Sequence, residues 1–319
     1  MKREFLKFAA VVTAGSFGSA SACDLCAIYS AAQAHGEIGK GPFLGLVQQY
    51  TPFGTVQVDG HEIPNVVGQF MNSSISQVFV GYNVTDRIGV QFNTPIIYKW
   101  FKRPDGLGGI DTGNEYGIGD ASLLGNFTPY IYQTMDSTFF WSLTGGIKFP
   151  TGSSERLEEE FNEIEDPVGP ASGIHGHDLA LGSGSYDGIV GSSVFGRIKR
   201  GYFSANVQYM IRSTGAFDYR YANDLTWSGG PGYFAVLNER WTLGVQAMVT
   251  GEYKGLDEFQ GAPAEDTGIT AVYIGPQVSL TWGDNLSAFA GFDFPLLQDN
   301  TALQTVPDYR IRGGVTWHF

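Results

Sequence analysis

The chain has 319 residues, of which 16% are charged and 14% aromatic, and a formal net charge of −13. That balance excludes a nucleic-acid partner, because phosphate binding needs an excess of Lys and Arg. A mean hydropathy of −0.08 and the lack of any apolar run near the roughly 20 residues of a spanning helix exclude a helical membrane bundle.

The first segment reads as an export signal. Lys2, Arg3 and Lys7 are basic, 8–20 is apolar and small, and Ala20-Ser21-Ala22 is a cleavage motif. The expected organisation is a signal over 1–22, a periplasmic segment over 23–41 and a barrel over 42–319. Cys23 and Cys26 open the mature chain. Three readings stay open for the pair: a disulfide in an oxidising compartment, lipidation of Cys23, or metal or redox work. Ala27 stands where c-type haem attachment needs His. A second cleavage motif, Ala32-Gln33-Ala34, would remove both cysteines. The Ala-rich stretch 24–40 is either a short plug helix or a periplasmic tail.

Twelve strands follow, at about 42–52, 74–83, 87–99, 118–130, 137–149, 185–197, 200–213, 225–237, 240–253, 271–282, 285–296 and 307–319. Each alternates with period two. In 240–253, Trp241, Leu243, Val245, Ala247 and Val249 oppose Thr242, Gly244, Gln246, Thr250 and Glu252. In 200–213, Phe203, Ala205, Val207, Tyr209 and Ile211 oppose Ser204, Asn206, Gln208 and Arg212. The polar faces are Gly, Ser, Thr, Asn and Gln with few charges, which suits a crowded, wet lumen better than the open face of a sandwich. Connections alternate between short and long, with long loops at 53–73, 100–117, 150–184, 214–224, 254–270 and 297–306. That rhythm is the layout of an outer-membrane barrel, with short periplasmic turns and longer outer loops. An even strand count puts both termini in the periplasm. Aromatics gather near strand ends, as interfacial girdles require. The last strand runs from Tyr309 to Phe319, alternates throughout and ends in an aromatic. Such an ending resembles the signal read by the barrel assembly machinery. The fold class is therefore all-β: a transmembrane antiparallel barrel of about twelve strands, in the outer membrane of a Gram-negative-type bacterium.

Three short segments carry a family resemblance: Gly117-Ile118-Gly119-Asp120, the run from Gly146 to Gly152, and the run from Leu181 to Asp187. They resemble the transporter family named for the meta-cleavage pathway of phenol degradation. The resemblance implies an outer-membrane barrel that passes small molecules, aromatic ones among them, and it carries no catalytic residues. Read physically, the glycines let a strand bend at the rim, and Asp120 and Asp187 either cap backbone amides or face a pore mouth.

The charges expected in the lumen are Lys148, Arg212, Glu252, Asp293, Arg310 and Arg312, either as wall-fixing pairs or as a field that selects solutes. Arg310 and Arg312 are expected near the outer mouth, balancing the acidic loop. That loop, 150–184, holds Glu155, Glu158, Glu159, Glu160, Glu163, Glu165, Asp166 and Asp178 against Arg156 alone. The loop reads either as a solvated surface segment or as a vestibule that captures cations, and its Gly and Pro content suits flexibility rather than a rigid site. His175, His177 and Asp178 lie within it, and His-x-His beside a carboxylate is a candidate for a divalent transition metal.

No G-x-S-x-G or H-E-x-x-H occurs, so no enzyme and no cofactor are expected. Three functions compete: a channel for small solutes, a non-conducting barrel with an acidic, metal-binding surface loop, and a barrel partner in a surface redox complex. The expected partners are outer-membrane lipid, the barrel assembly machinery and a small solute.

Overall fold

Alternating apolar and polar faces can all be satisfied together only if the sheet closes, since an open edge in hydrocarbon would leave backbone groups unpaired. The computed structural model describes residues 40–162, 167–238, 240–283 and 285–319. The expected export signal, Cys23, Cys26, nearly all of 24–40, and the acids Glu163, Glu165 and Asp166 lie outside the described residues.

The strands are β1 (Gly41–Val58), β2 (His61–Ile63), β3 (Phe70–Asn83), β4 (Ile88–Pro104), β5 (Ile110–Ile118), β6 (Ser122–Gln133), β7 (Ser137–Lys148), β8 (Asp187–Ile198) and β9 (Gly201–Ile211). They continue with β10 (Tyr219–Arg220), β11 (Asp224–Leu237), β12 (Trp241–Lys254), β13 (Asp257–Phe259), β14 (Ala262–Ala264), β15 (Ile269–Trp282), β16 (Leu286–Asn300), β17 (Leu303–Pro307) and β18 (Arg310–His318). Twelve of these are staves: β1, β3, β4, β6, β7, β8, β9, β11, β12, β15, β16 and β18, each antiparallel to the next. Pairing of Leu44 with Trp317 and of Leu46 with Val315 joins β18 back to β1 and closes the barrel.

Outward positions are apolar. Val90 and Phe92 of β4, Val207 and Ile211 of β9, Val245 of β12 and Val315 of β18 are all exposed on the outer surface. Their neighbours in sequence, among them Gln91, Gln208, Gln246 and Arg312, are buried in the interior.

The structure differs from the sequence reading in three places. First, several staves outrun the expected ends: β1 continues to Val58 and β4 to Pro104. Their outer ends pair with β2 and β5, and β17 pairs with β1, so much of the expected loop at 53–73, 100–117 and 297–306 is hairpin standing on the long-loop rim. Backbone pairing persists there because each strand finds a neighbour. Second, the wall made by β1, β3 and β4 turns apolar side chains inward. Phe43, Val47, Ile75, Phe79 and Ile97 form one cluster with Leu181 and Phe289. Third, Leu181 belongs to the long loop, which is not a solvated surface segment. Leu157, Ile174, Leu179, Ala180 and Leu181 are buried, so the loop folds into the mouth of the barrel. The apolar patch on the wall is its seat.

Candidate functional site: the lumen and its outer mouth

The three segments that carry the family resemblance meet in space. Asp120 follows the β5 hairpin, Lys148 ends β7, and Asp187 opens β8. Lys148 bonds to both Asp120 and Ser183 and forms an ion pair with Asp187 at 2.9 Å. Asp120 also accepts backbone N–H bonds from Gly152 at 3.0 Å and Ser183 at 2.9 Å. Asp187 accepts from Ser185 Oγ at 2.8 Å and from Arg212 at 3.0 Å, and Arg212 continues to Asp224 at 2.8 Å. Three carboxylates, one ammonium and one guanidinium thus fix the loop to the wall, with every member bonded. The glycines permit the close approach. A Cβ on Gly182 would lie 2.5 Å from Asp120 Oδ1 and 2.6 Å from the Gly152 carbonyl oxygen. Gly184 takes φ +69°, the left-handed region that costs glycine little. The physical alternative offered by the sequence, in which the acids cap backbone amides, is thus built here together with the ion pair.

Five of the six charges expected in the lumen, Lys148, Glu252, Asp293, Arg310 and Arg312, are buried, and Arg212 is half-buried. Lys148 and Arg212 belong to the latch just described. Arg310 pairs with Glu252 at 2.8 Å and stands 4.1 Å over the Tyr273 ring. Arg312 grips Asp293 with two bonds, at 2.6 and 2.8 Å. The two arginines of β18 therefore pair with β12 and β16 rather than with the acidic loop. Wall carboxylates lie closer, and a fully desolvated pair needs a near partner. The loop acids find other cations. Glu159 is held by Arg103 at 2.8 Å and by Arg156, which also binds Glu115. Burial pushes the Glu159 carboxyl up, but the two guanidiniums outweigh it and hold it below the ordinary value.

Between the ion pairs the lumen is lined by amides. Gln77 of β3 and Asn206 and Gln208 of β9 are buried, and none of their side-chain nitrogens or oxygens meets a protein partner. On the short-turn side, four rings cross four staves. Phe140 and Phe195 stack at 6.0 Å, Phe195 and Tyr202 at 5.9 Å, and Tyr202 and Phe234 meet at 4.5 Å. Phe195, Tyr202 and Phe234 line a cavity of about 250 Å³, and Arg197 is its one charged lining residue. Parity along the strands would have placed these rings inside. Phe139 and Trp141, their apolar neighbours in β7, are exposed on the outer face.

At the outer mouth a cavity of about 490 Å³ is lined by Arg103, Asp111, Glu159, Glu160, His175 and Asp266, among others. His175 precedes the short helical turn Gly176–Leu179, His177 lies within it, and the two rings stack at 5.6 Å. His175 Nδ1 lies 2.8 Å from Asp266 Oδ2, His177 Nδ1 lies 3.1 Å from Glu160 Oε1, and His177 Nε2 lies 3.6 Å from Asp178 Oδ1. Asp178 itself turns back to accept the His175 backbone N–H at 3.0 Å. Burial pushes the His177 imidazole down, but Asp178 and Glu160 overcome it and lift the group to about 10. Burial likewise lowers His175, and Asp266 outweighs it. Asp266 joins the cluster from the far loop between β14 and β15, and nothing local in the sequence could have paired it with His175.

No family model matches the sequence, and no curated protein matches it. An outer membrane channel from Pseudomonas putida has the same fold, with a TM-score of 0.64 over 89% of this chain and 98% of that one, at 14% identity. The β domain of the Bordetella autotransporter BrkA reaches 0.46 at 9% identity, covering 88% of this chain and 100% of that one. The translocator domain of the Neisseria meningitidis autotransporter NalP reaches 0.42 at 14% identity, covering 92% and 93%. The likeness to the channel is one of fold: this protein is a twelve-stranded outer-membrane β-barrel.

Proposed function

We propose that the barrel is a narrow channel for small solutes, with single-ring aromatic molecules as the favoured class. The observation that carries this reading is the set of unpartnered amides on Gln77, Asn206 and Gln208. A purely structural interior satisfies its buried polar groups, whereas a conducting one keeps groups for water and solute. The ladder from Phe140 to Phe234 supports the aromatic preference, since rings favour offset stacking at these separations. A cavity of roughly 150 Å³ holds benzene, so about 250 Å³ accommodates a substituted ring. Arg197 beside it favours an anionic substituent. The resemblance to the phenol-pathway transporters and the fold shared with the Pseudomonas putida outer membrane channel point the same way.

The test is conductance in planar bilayers. Small discrete openings that benzoate reduces and an uncharged sugar leaves alone are expected. A barrel that passes neither ions nor solute under any applied voltage would overturn the reading and favour the non-conducting alternative. The redox reading rests on Cys23 and Cys26, and its test is the double serine variant.

A further inference from the structure

We infer that His175, His177 and Asp266 form a binding site for one divalent transition-metal ion of the zinc, copper or nickel type at the outer mouth. The sequence alone offered His175, His177 and Asp178. The fold replaces Asp178 with Asp266, 91 residues beyond His175 in the chain.

Ligand atoms of His175, His177 and Asp266 all lie within 4.8 Å of one another. An ion bound through N and O ligands at about 2.0–2.1 Å gathers its ligand atoms to roughly 3 Å separations. His175 Nδ1 and Asp266 Oδ2, at 2.8 Å, are already there, and small rotations would bring the second imidazole in. The surroundings suit a metal as well. Glu160 Oε1 lies 3.1 Å from His177 Nδ1 and its other contact is the His177 backbone N–H at 2.8 Å. A carboxylate in that place puts the ring proton on Nδ1 and leaves the Nε2 lone pair for a ligand bond. Tyr219 stacks on His177 at 6.0 Å, and the Tyr221 hydroxyl donates to the His177 carbonyl at 3.0 Å, which keeps the second imidazole beside the His175–Asp266 pair.

Charge favours the ion too. The carboxylates Glu160, Asp178 and Asp266 surround two imidazoles. A single divalent cation would offset two of those negative charges and bond to both rings at once. It would also tie the long loop to the loop before β15, across the mouth. The donor set, two nitrogens and one or two oxygens, matches borderline transition metals and not calcium or magnesium, which take oxygen ligands.

The experiment uses the full chain folded in detergent, with Cys23→Ser and Cys26→Ser to remove the competing thiols, stripped with chelator. Calorimetric titration with zinc chloride should give one saturable site per barrel, and cobalt should give visible absorption bands of a nitrogen- and oxygen-ligated ion. Asp266→Asn and His175→Ala should each weaken zinc at least tenfold, while His61→Ala, at an exposed histidine, should leave it unchanged. Heat-modifiable gel mobility shows which variants are folded. The isosteric Asp266→Asn change keeps the test open if His175→Ala does not fold. Absence of a saturable site, or a site unchanged in Asp266→Asn, would overturn the inference. Neither result bears on conductance, so the channel reading stands or falls separately.

Discussion

Lys148 sits between Asp120 and Asp187 with both carboxylates buried. Removing one partner of such a cluster leaves uncompensated charge, at a cost of about 3–5 kcal/mol. Lys148→Met should therefore lower the unfolding free energy of the folded barrel by that amount, read from urea titration in vesicles. Lys148→Met combined with Asp187→Asn should recover part of it. A loss below 1 kcal/mol, as for exposed pairs, would mean that the latch is solvated. At Glu159 the matter is pH. Its carboxyl is held below the ordinary 4.5 by Arg103 and Arg156. Its stabilisation is complete above that ordinary value and disappears as pH falls through the lowered one. Hydrogen exchange in 155–162 should thus stay slow at neutral and mildly acidic pH and accelerate only below about 4.5. Glu159→Gln should abolish that step, and an unchanged acid response in the variant would remove Glu159 as its cause. Residues like these were legible only in part. Period two placed Lys148 and Arg212 inside, but their partners come from other strands and from the loop.

The long loop 149–186 is the element that sets the interior. Lys99 Nζ donates to the carbonyls of Asp178 at 2.6 Å and Ala180 at 3.1 Å, and Leu181 fills the apolar seat on the wall. Deleting 153–178 should therefore widen the path and raise single-channel conductance several-fold. Equal conductance in the deletion and the parent would place the constriction elsewhere. The aromatic ladder belongs to this scale too, since each ring comes from a different stave. Aromatic contacts contribute about 0.5–1.5 kcal/mol beyond buried area. Phe195→Ala should weaken benzoate block by up to roughly tenfold, with conductance in plain salt unchanged. The loop was misread from sequence because its Gly, Pro and Glu content is that of a mobile segment. Only a docked partner could show that its few apolar residues, Leu157, Ile174, Leu179 and Leu181, are enough to anchor it.

Across the whole molecule the outer surface defines the environment. Val245 is the fifth of the 14 residues of β12, paired with Val278 and exposed. Val245→Arg should destabilise the folded protein in lipid by about 2–4 kcal/mol, the cost of a cation at the bilayer midplane. Its inward neighbour Gln246 bonds to Ser204 and to the Gly230 carbonyl, both at 2.7 Å, so a change there should act through the lumen instead. A silent Val245→Arg would count against lipid contact at that height. By itself the sequence determined the strand number, the alternation, the gathering of the long loops on one rim and the closing strand at the C-terminal end. These follow from local periodicity and turn chemistry, which need no knowledge of distant residues. Tertiary structure alone decided that the loop turns inward, that Arg310 and Arg312 choose Glu252 and Asp293, and that Asp266 meets His175. Those are contacts between segments far apart in the chain, and closure of the sheet, rather than any local preference, brings them together.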